Sequence, residues 1–292
     1  MLETSTIEMS LKKTEGLIRL MRPRQWIKNS FVLAPLIFTG KFLNFTSVSH
    51  ALIAAVLFCI ASSVTYIIND MHDIKHDQHH PIKSKSRPLA AGMVSMHIAS
   101  ILLAGLCLLL ISGWFLAPNT MLVITGYLAL SISYTFFLKH QPVIDIFAIA
   151  IGFVLRVYGG ATALDVPVSS WMFVTTLCLA LYLAAIKRRQ ELRQNGSKGR
   201  KVLEKYSITL VDRYAEMSAT GALVFYSMFV MSAKSELIIT IPLVLFGIFR
   251  YWFVVEHFDS GESPTDALLA DWQLLVTVAL WLAICAWALW PN

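Results

Sequence analysis

Nine long apolar runs divide this chain, at roughly 29–47, 50–68, 98–117, 121–138, 143–164, 168–186, 217–233, 237–255 and 272–290. An α-helix needs about 20 apolar residues to cross the hydrocarbon of a bilayer. Backbone survives there only with its hydrogen bonds closed within a helix or a barrel. The expected fold is an all-α polytopic membrane protein of about nine transmembrane helices. It is read as a single transmembrane domain over 1–292, with 1–28 as a cytoplasmic or interfacial N-terminal segment. The first run is the weakest, because Pro35 and Lys41 interrupt it. With 57% hydrophobic and 14% charged residues, and a mean hydropathy of +0.64, an ordinary soluble domain is excluded. No short apolar segment with a small-residue cleavage site begins the chain, so no removable signal peptide is expected. Cys59, Cys107, Cys178 and Cys285 sit in the apolar runs without a CxxC pair. They read as packing residues, with neither disulfide nor zinc role.

Lysine and arginine set the orientation. Twenty of the 24 fall before the first run, in 69–92, at Lys139 and in 187–213, which nine spans place on one side. The positive-inside bias makes that side the cytoplasm. Much of the +6 net charge is then a topology signal and a fit to anionic lipid, with nothing pointing to nucleic acid. The expected arrangement is multi-pass, with the charged loops on the cytoplasmic side.

The chemistry concentrates between Asn69 and Gly92, NDMHDIKHDQHHPIKSKSRPLAAG. If the second helix runs past Ile68, Asp70, Asp73 and Asp77 lie at about 0°, 300° and 340° and share a narrow arc. Carboxylates so crowded repel unless a cation sits among them. Oxygen ligands suit Mg²⁺, which usually takes one or two carboxylates plus substrate phosphate oxygens. Lys83, Lys85 and Arg87 follow in the same loop and suit phosphate. Acid and base together at the mouth of a membrane helix read as a Mg²⁺-diphosphate site; the bland alternative is a solvated loop. His72, His76, His79 and His80 are surface groups on this reading, not zinc ligands.

Further candidates flank this stretch. Residues 17–29 interleave apolar and basic side chains around Trp26 and read as interfacial, with Lys28 and Asn29 placed to reach a phosphate. Asp145 follows Pro142 in a first helical turn, where the macrodipole favours an anion. Arg156 lies eleven residues on, on the same face. A charge at that depth costs roughly 2.5–3.5 kcal/mol on insertion scales, so it needs a partner, from the protein or a substrate. Lys187-Arg188-Arg189 leaves the sixth run on the aspartate side: a topology anchor or a phosphate cluster. The stretch Glu256–Asp271 reads as a solvated connection.

Asn69-Asp70-x-x-Asp73-x-x-x-Asp77 after the second run, with Tyr134…Lys139 after the fourth, resembles the UbiA superfamily of intramembrane prenyltransferases. The resemblance implies a nine-helix bundle opening to the cytoplasm, with a second aspartate motif after the sixth span. Here that place holds KRRQEL, with Glu191 its only acid. Together with Arg22-Pro23-x-Gln25-Trp26-x-Lys28-Asn29 and Leu138-Lys139-His140-Gln141-Pro142-Val143-x-Asp145, the likeness is to the decaprenyl-phosphate phosphoribosyltransferase branch, over nearly the whole chain.

That resemblance implies an enzyme, a pentosyltransferase, moving 5-phosphoribose from phosphoribosyl pyrophosphate to a polyprenyl phosphate and releasing pyrophosphate, for cell-envelope pentose donor synthesis. Asn69, Asp70, Asp73 and Asp77 would hold Mg²⁺ on the leaving group. Lys28, Asn29, Lys83, Arg87, Tyr134, Lys139, Asp145, Arg156, Lys187, Arg188, Arg189 and Glu191 are the expected substrate-binding set. One acid and one basic cluster suit three phosphate-bearing groups better than two acid clusters. Two rivals remain: prenyl transfer from a prenyl diphosphate to an aromatic acceptor, and a transporter with Asp145 and Arg156 as pathway residues. An oligomer of identical chains stays open.

Overall fold

The computed structural model describes residues 14–79, 83–195, 201–257 and 264–290. The expected polar head up to residue 13, His80 and the Gly196–Gly199 linker lie outside them. The described residues contain eight helices of seventeen residues or more: α1 (Phe45–Gln78), α2 (Met96–Leu116), α3 (Pro118–Phe136), α4 (Ile144–Ala163), α5 (Ser170–Asn195), α6 (Ile208–Ala233), α7 (Ile241–His257) and α8 (Trp272–Ala288). Among the described residues five helical stretches are long and apolar enough to cross a membrane, and the fold is all-helical and multi-pass.

The expected first span does not form as one helix. Pro23–Leu33 is a 3₁₀ helix, Ala34–Phe38 a short α-helix, and Gly40, at φ 67°, turns the chain into Lys41–Leu43. Pro23 and Pro35 each lack an N–H and each fits a helix start better than an interior. The second start, at Pro35, falls inside the run and breaks it. An uninterrupted set of nine spans is therefore not what the described residues show.

α1 begins at Asn44, whose side chain accepts from the Ser47 N–H at 2.9 Å. Its 34 residues make a rod of about 51 Å, against about 30 Å of bilayer hydrocarbon. The surplus carries the aspartates past Ile68 on continuous helix. α2 is apolar all round, and Phe115 is 89% exposed, as a lipid-facing helix requires.

Two cores result. One packs α1, α2 and α3 around Phe58, Ile67 and Ile124; the other packs α5, α6 and α7 around Tyr182, Ile186 and Val211. α4 lies between them and grips the lead-in segment. A Cβ on Gly160 would come within 1.8 Å of the Val32 carbonyl oxygen, and one on Gly159 within 2.2 Å of the Phe58 ring. Only glycine permits that approach, which sets Asn29 against α1 and α4.

Candidate active site

Between the two cores lies a cavity of about 820 Å³. Five cations line it, Arg22, Lys28, Arg87, Arg156 and Lys187, and among the described residues no carboxylate does. Its other end is apolar, walled by Phe38, Phe229, Leu243, Val278 and Trp281. The whole is a polar chamber opening into a greasy slot.

The aspartates stand behind the cationic wall. Asp70 is 1% exposed, with Oδ1 2.5 Å from Arg22 Nη2 and 3.1 Å from Arg87 Nη1. Its Oδ2 is buried and has no hydrogen-bond partner among the described residues. Arg87 also pairs with Asp77. Asp73 holds Lys139 Nζ at 2.9 and 3.1 Å and His72 Nδ1 at 2.8 Å. Burial alone would raise the Asp73 carboxyl, but the hydrogen bonds from Lys139 and His72 outweigh it and hold it below its usual range. The shared helical arc is real, yet each carboxylate faces a base, and the described acids, histidines and cysteines form no group of three placed for a metal. Asn69 itself lines the cavity.

Asp145 and Arg156, expected on one face, have different partners. Arg156 gives Nε to Asn29 Oδ1 (2.8 Å), Nη1 to the Gly152 carbonyl (2.7 Å) and Nη2 to the Tyr127 hydroxyl (3.1 Å). Its guanidinium also lies 4.7 Å from the Tyr127 ring centroid. Asn29 in turn donates to Ser62 Oγ and Cys59 Sγ, both at 3.2 Å. Asp145, fully buried, takes Arg188 Nε at 2.6 Å and the Tyr206 hydroxyl at 2.7 Å. Burial, then the bond to Asp145, pushes the Tyr206 phenol above its ordinary range and keeps it a donor.

Residues 32–283 match the model of the UbiA prenyltransferase family. The chain belongs to that family. Decaprenyl-phosphate phosphoribosyltransferase of Mycolicibacterium smegmatis is 35% identical over 290 residues, covering 91% of this chain and 90% of that protein. The protein of the same name from Corynebacterium glutamicum is 33% identical over 300 residues, covering 95% and 90%. Among solved structures, a UbiA homolog from Archaeoglobus fulgidus bound to GPP and Mg²⁺ superposes with a TM-score of 0.73 at 19% identity. That match covers 94% of this chain and 99% of that one, and carries the fold alone. UbiA membership makes this chain a transferase.

Within this UbiA fold the basic triplet separates. Successive helical residues point about 100° apart, so only Lys187 reaches the cavity. Arg188 is 0% exposed and saturated by Asp145, Glu191 and the Tyr134 hydroxyl at 2.8 Å. Arg189 pairs with Asp212 and Glu256, both at 2.5 Å. Arg188, Arg189, Glu191 and Asp145, expected to bind substrate, do not line the cavity. Arg188, held by Asp145 and Glu191, bonds Tyr134 on the cavity wall, while Arg189 ties α5 to Asp212 and Glu256. Lys139 is buried against Asp73, and Lys83, half-buried on the helix Lys83–Ser86, is not among the lining residues.

The supposedly solvated stretch 256–271 is also different. It holds the helix Pro264–Ala270, with Ala267 buried and Leu268 on the cavity wall. Asp271 caps α8 and pairs with Arg250 at 2.7 Å. Arg22, Tyr127 and Tyr206 were missed as site residues. Arg22 stood in the interfacial basic stretch, where the signal was present; Tyr127, inside an apolar run, offered none.

Proposed function

We propose that this protein transfers 5-phosphoribose from phosphoribosyl pyrophosphate to a polyprenyl phosphate, with Mg²⁺, at a cytoplasm-facing site in a bacterial inner membrane. The observation that carries this reading is the cavity lined, among the described residues, by five cations and no carboxylate, opening into an apolar slot. That inventory fits a reaction whose two substrates bring a pyrophosphate, a 5-phosphate and a lipid phosphate. It fits less well a prenyl diphosphate and a neutral aromatic acceptor. The transporter reading loses its pathway pair, since Asp145 and Arg156 each have other protein partners. The relatives named decaprenyl-phosphate phosphoribosyltransferase support the same choice.

The donor set fits Mg²⁺ that arrives with the pyrophosphate. Asp70 keeps one buried oxygen without a partner, Asn69 faces the cavity, and Asp73 stands one helical turn away. Mg²⁺ demands only one or two protein carboxylates when phosphates complete its shell. When bound, it would neutralise charge on the departing pyrophosphate. Arg22 and Arg87, already held by Asp70, meet the same phosphates with charged hydrogen bonds. Lys139 and His72 keep Asp73 ionised. As the ribose C1–O bond breaks, cationic charge develops at C1, and the lipid phosphate oxygen attacks it. A phosphate monoester, with a second pKa near 6, is already largely ionised at neutral pH and needs little base help. What remains for the protein is alignment and exclusion of water from the cation.

Purified protein with Mg²⁺ and phosphoribosyl pyrophosphate should release pyrophosphate only when a polyprenyl phosphate is added. Release without the lipid, or none with it, refutes the reading.

A further inference from the structure

We propose that Lys28, Arg156 and Lys187 form a phosphate-monoester subsite that takes the lipid acceptor's headgroup, apart from the aspartate end of the cavity. This deepens the transfer reaction proposed above and rests on it.

The first argument is the fate of the five cavity cations. Arg22 and Arg87 are neutralised by Asp70 and Asp77. Lys28, Arg156 and Lys187 form no carboxylate ion pair among the described residues. All three hydrogen-bonding nitrogens of Arg156 meet neutral oxygens, on Asn29, Gly152 and Tyr127. A guanidinium 5% exposed, inside a membrane helix and without a counter-anion, is costly to keep. The cost falls if an anion visits.

The second argument is proximity. Lys28 lies in the repulsive field of Arg156 and Arg22, against a weaker pull from Asp266, and Lys187 feels Lys28 and Arg188 against the attraction of Glu191. A dianion placed among the three would offset the repulsion that remains. Tyr127 and Tyr134 line the same chamber and add hydroxyls.

The third argument is depth, which chooses between the two monoesters the reaction brings. Asn29 bonds both Ser62 on α1 and Arg156. Ser62 precedes Asp70 by eight residues, so the guanidinium lies about 12 Å along α1 from the aspartate end, toward the membrane interior. From there the wall continues into the apolar slot of Phe38, Leu243, Val278 and Trp281. An isoprenoid chain in that slot ends its headgroup at the unpaired cations. The water-soluble donor enters from the other end, where its pyrophosphate meets Arg22 and Arg87, with Asp70 behind them.

The test uses the full-length protein in detergent, with farnesyl phosphate, farnesol, ribose 5-phosphate and Mg²⁺-pyrophosphate titrated separately. Wild type should bind the lipid phosphate at least about tenfold tighter than the alcohol. Lys187→Met and Lys28→Met should each weaken the lipid phosphate by about 10–100-fold, leaving ribose 5-phosphate and pyrophosphate within about threefold. Arg156→Met should do the same, and if it fails to fold, the two lysine variants decide. Loss of ribose 5-phosphate binding in place of lipid phosphate binding assigns the subsite to the donor and overturns the proposal. So does unchanged lipid-phosphate binding in both lysine variants. Should wild type fail to consume phosphoribosyl pyrophosphate, the transfer reaction falls, while the preference for lipid phosphate over alcohol still reads the subsite.

Discussion

Arg188→Met should unfold this protein before it disarms it. Arg188 is completely buried and bonds Asp145, Glu191 and Tyr134, and Asp145 is equally buried. Removing the guanidinium leaves the Asp145 charge with only the Tyr206 hydroxyl. Breaking one side of a buried pair costs about 3–5 kcal/mol. At about 2–4 °C per kcal/mol for a large domain, the unfolding midpoint should drop by roughly 6–20 °C. Intrinsic tryptophan fluorescence during a thermal ramp in detergent reads this, at one fixed scan rate because unfolding need not be reversible. Asp145→Asn combined with Arg188→Met should recover part of the loss, since no unpaired buried charge is then left. An Arg188→Met protein that melts within about 1 °C of wild type, yet binds substrate far more weakly, would show Arg188 to be a ligand and the scaffold assignment wrong.

Three further outcomes follow from the same geometry. Burial, then the charges of Arg156 and Arg22, lowers the Lys28 ammonium to about 8 against a weaker opposing pull from Asp266. Lipid-phosphate affinity, flat near pH 7, should therefore fall as pH rises through 8, by up to about tenfold per unit. Lys28→Met should make that slope shallower, and an unchanged slope in the variant refutes the assignment. Gly160→Ala should cost about 1–3 kcal/mol or more by forcing the Val32 carbonyl away. Gly126→Ala, with nothing within 4 Å of its added methyl, is the control and should be neutral or stabilising; equal melting of both variants contradicts the packing. Asp73→Asn should lower turnover about 10–100-fold at limiting Mg²⁺ with partial rescue at high Mg²⁺, and full activity at limiting Mg²⁺ would remove Asp73 from the site.

What the sequence disclosed followed the reach of simple periodicity. The apolar runs from residue 50 onward became helices, and α1 ran on through Asp77, because uninterrupted apolar residues and a helical spacing are local signals. The lead-in run failed for a local reason too: Pro35 restarts the helix inside it and Gly40 turns the chain. Partner choice was not local. Asp145 and Arg156 share a face in spacing, but Arg188 arrives from α5 to claim the one, and Asn29 from the lead-in to claim the other. In the KRRQEL motif, three adjacent charges read alike as letters, whereas helical rotation sends Lys187 to the cavity and the arginines into the core. The 264–270 helix was hidden because its few apolar residues make sense only once a cavity needs a rim.

The most direct measurement offers both donor classes to one preparation. Purified protein receives Mg²⁺, a polyprenyl phosphate, phosphoribosyl pyrophosphate, a prenyl diphosphate and an aromatic acceptor together, and the lipid products are weighed by mass spectrometry. The account predicts a polyprenyl phosphate heavier by one 5-phosphoribosyl group, matched by pyrophosphate release, with the aromatic acceptor untouched. A prenylated aromatic product, with the ribose donor left intact, would contradict it.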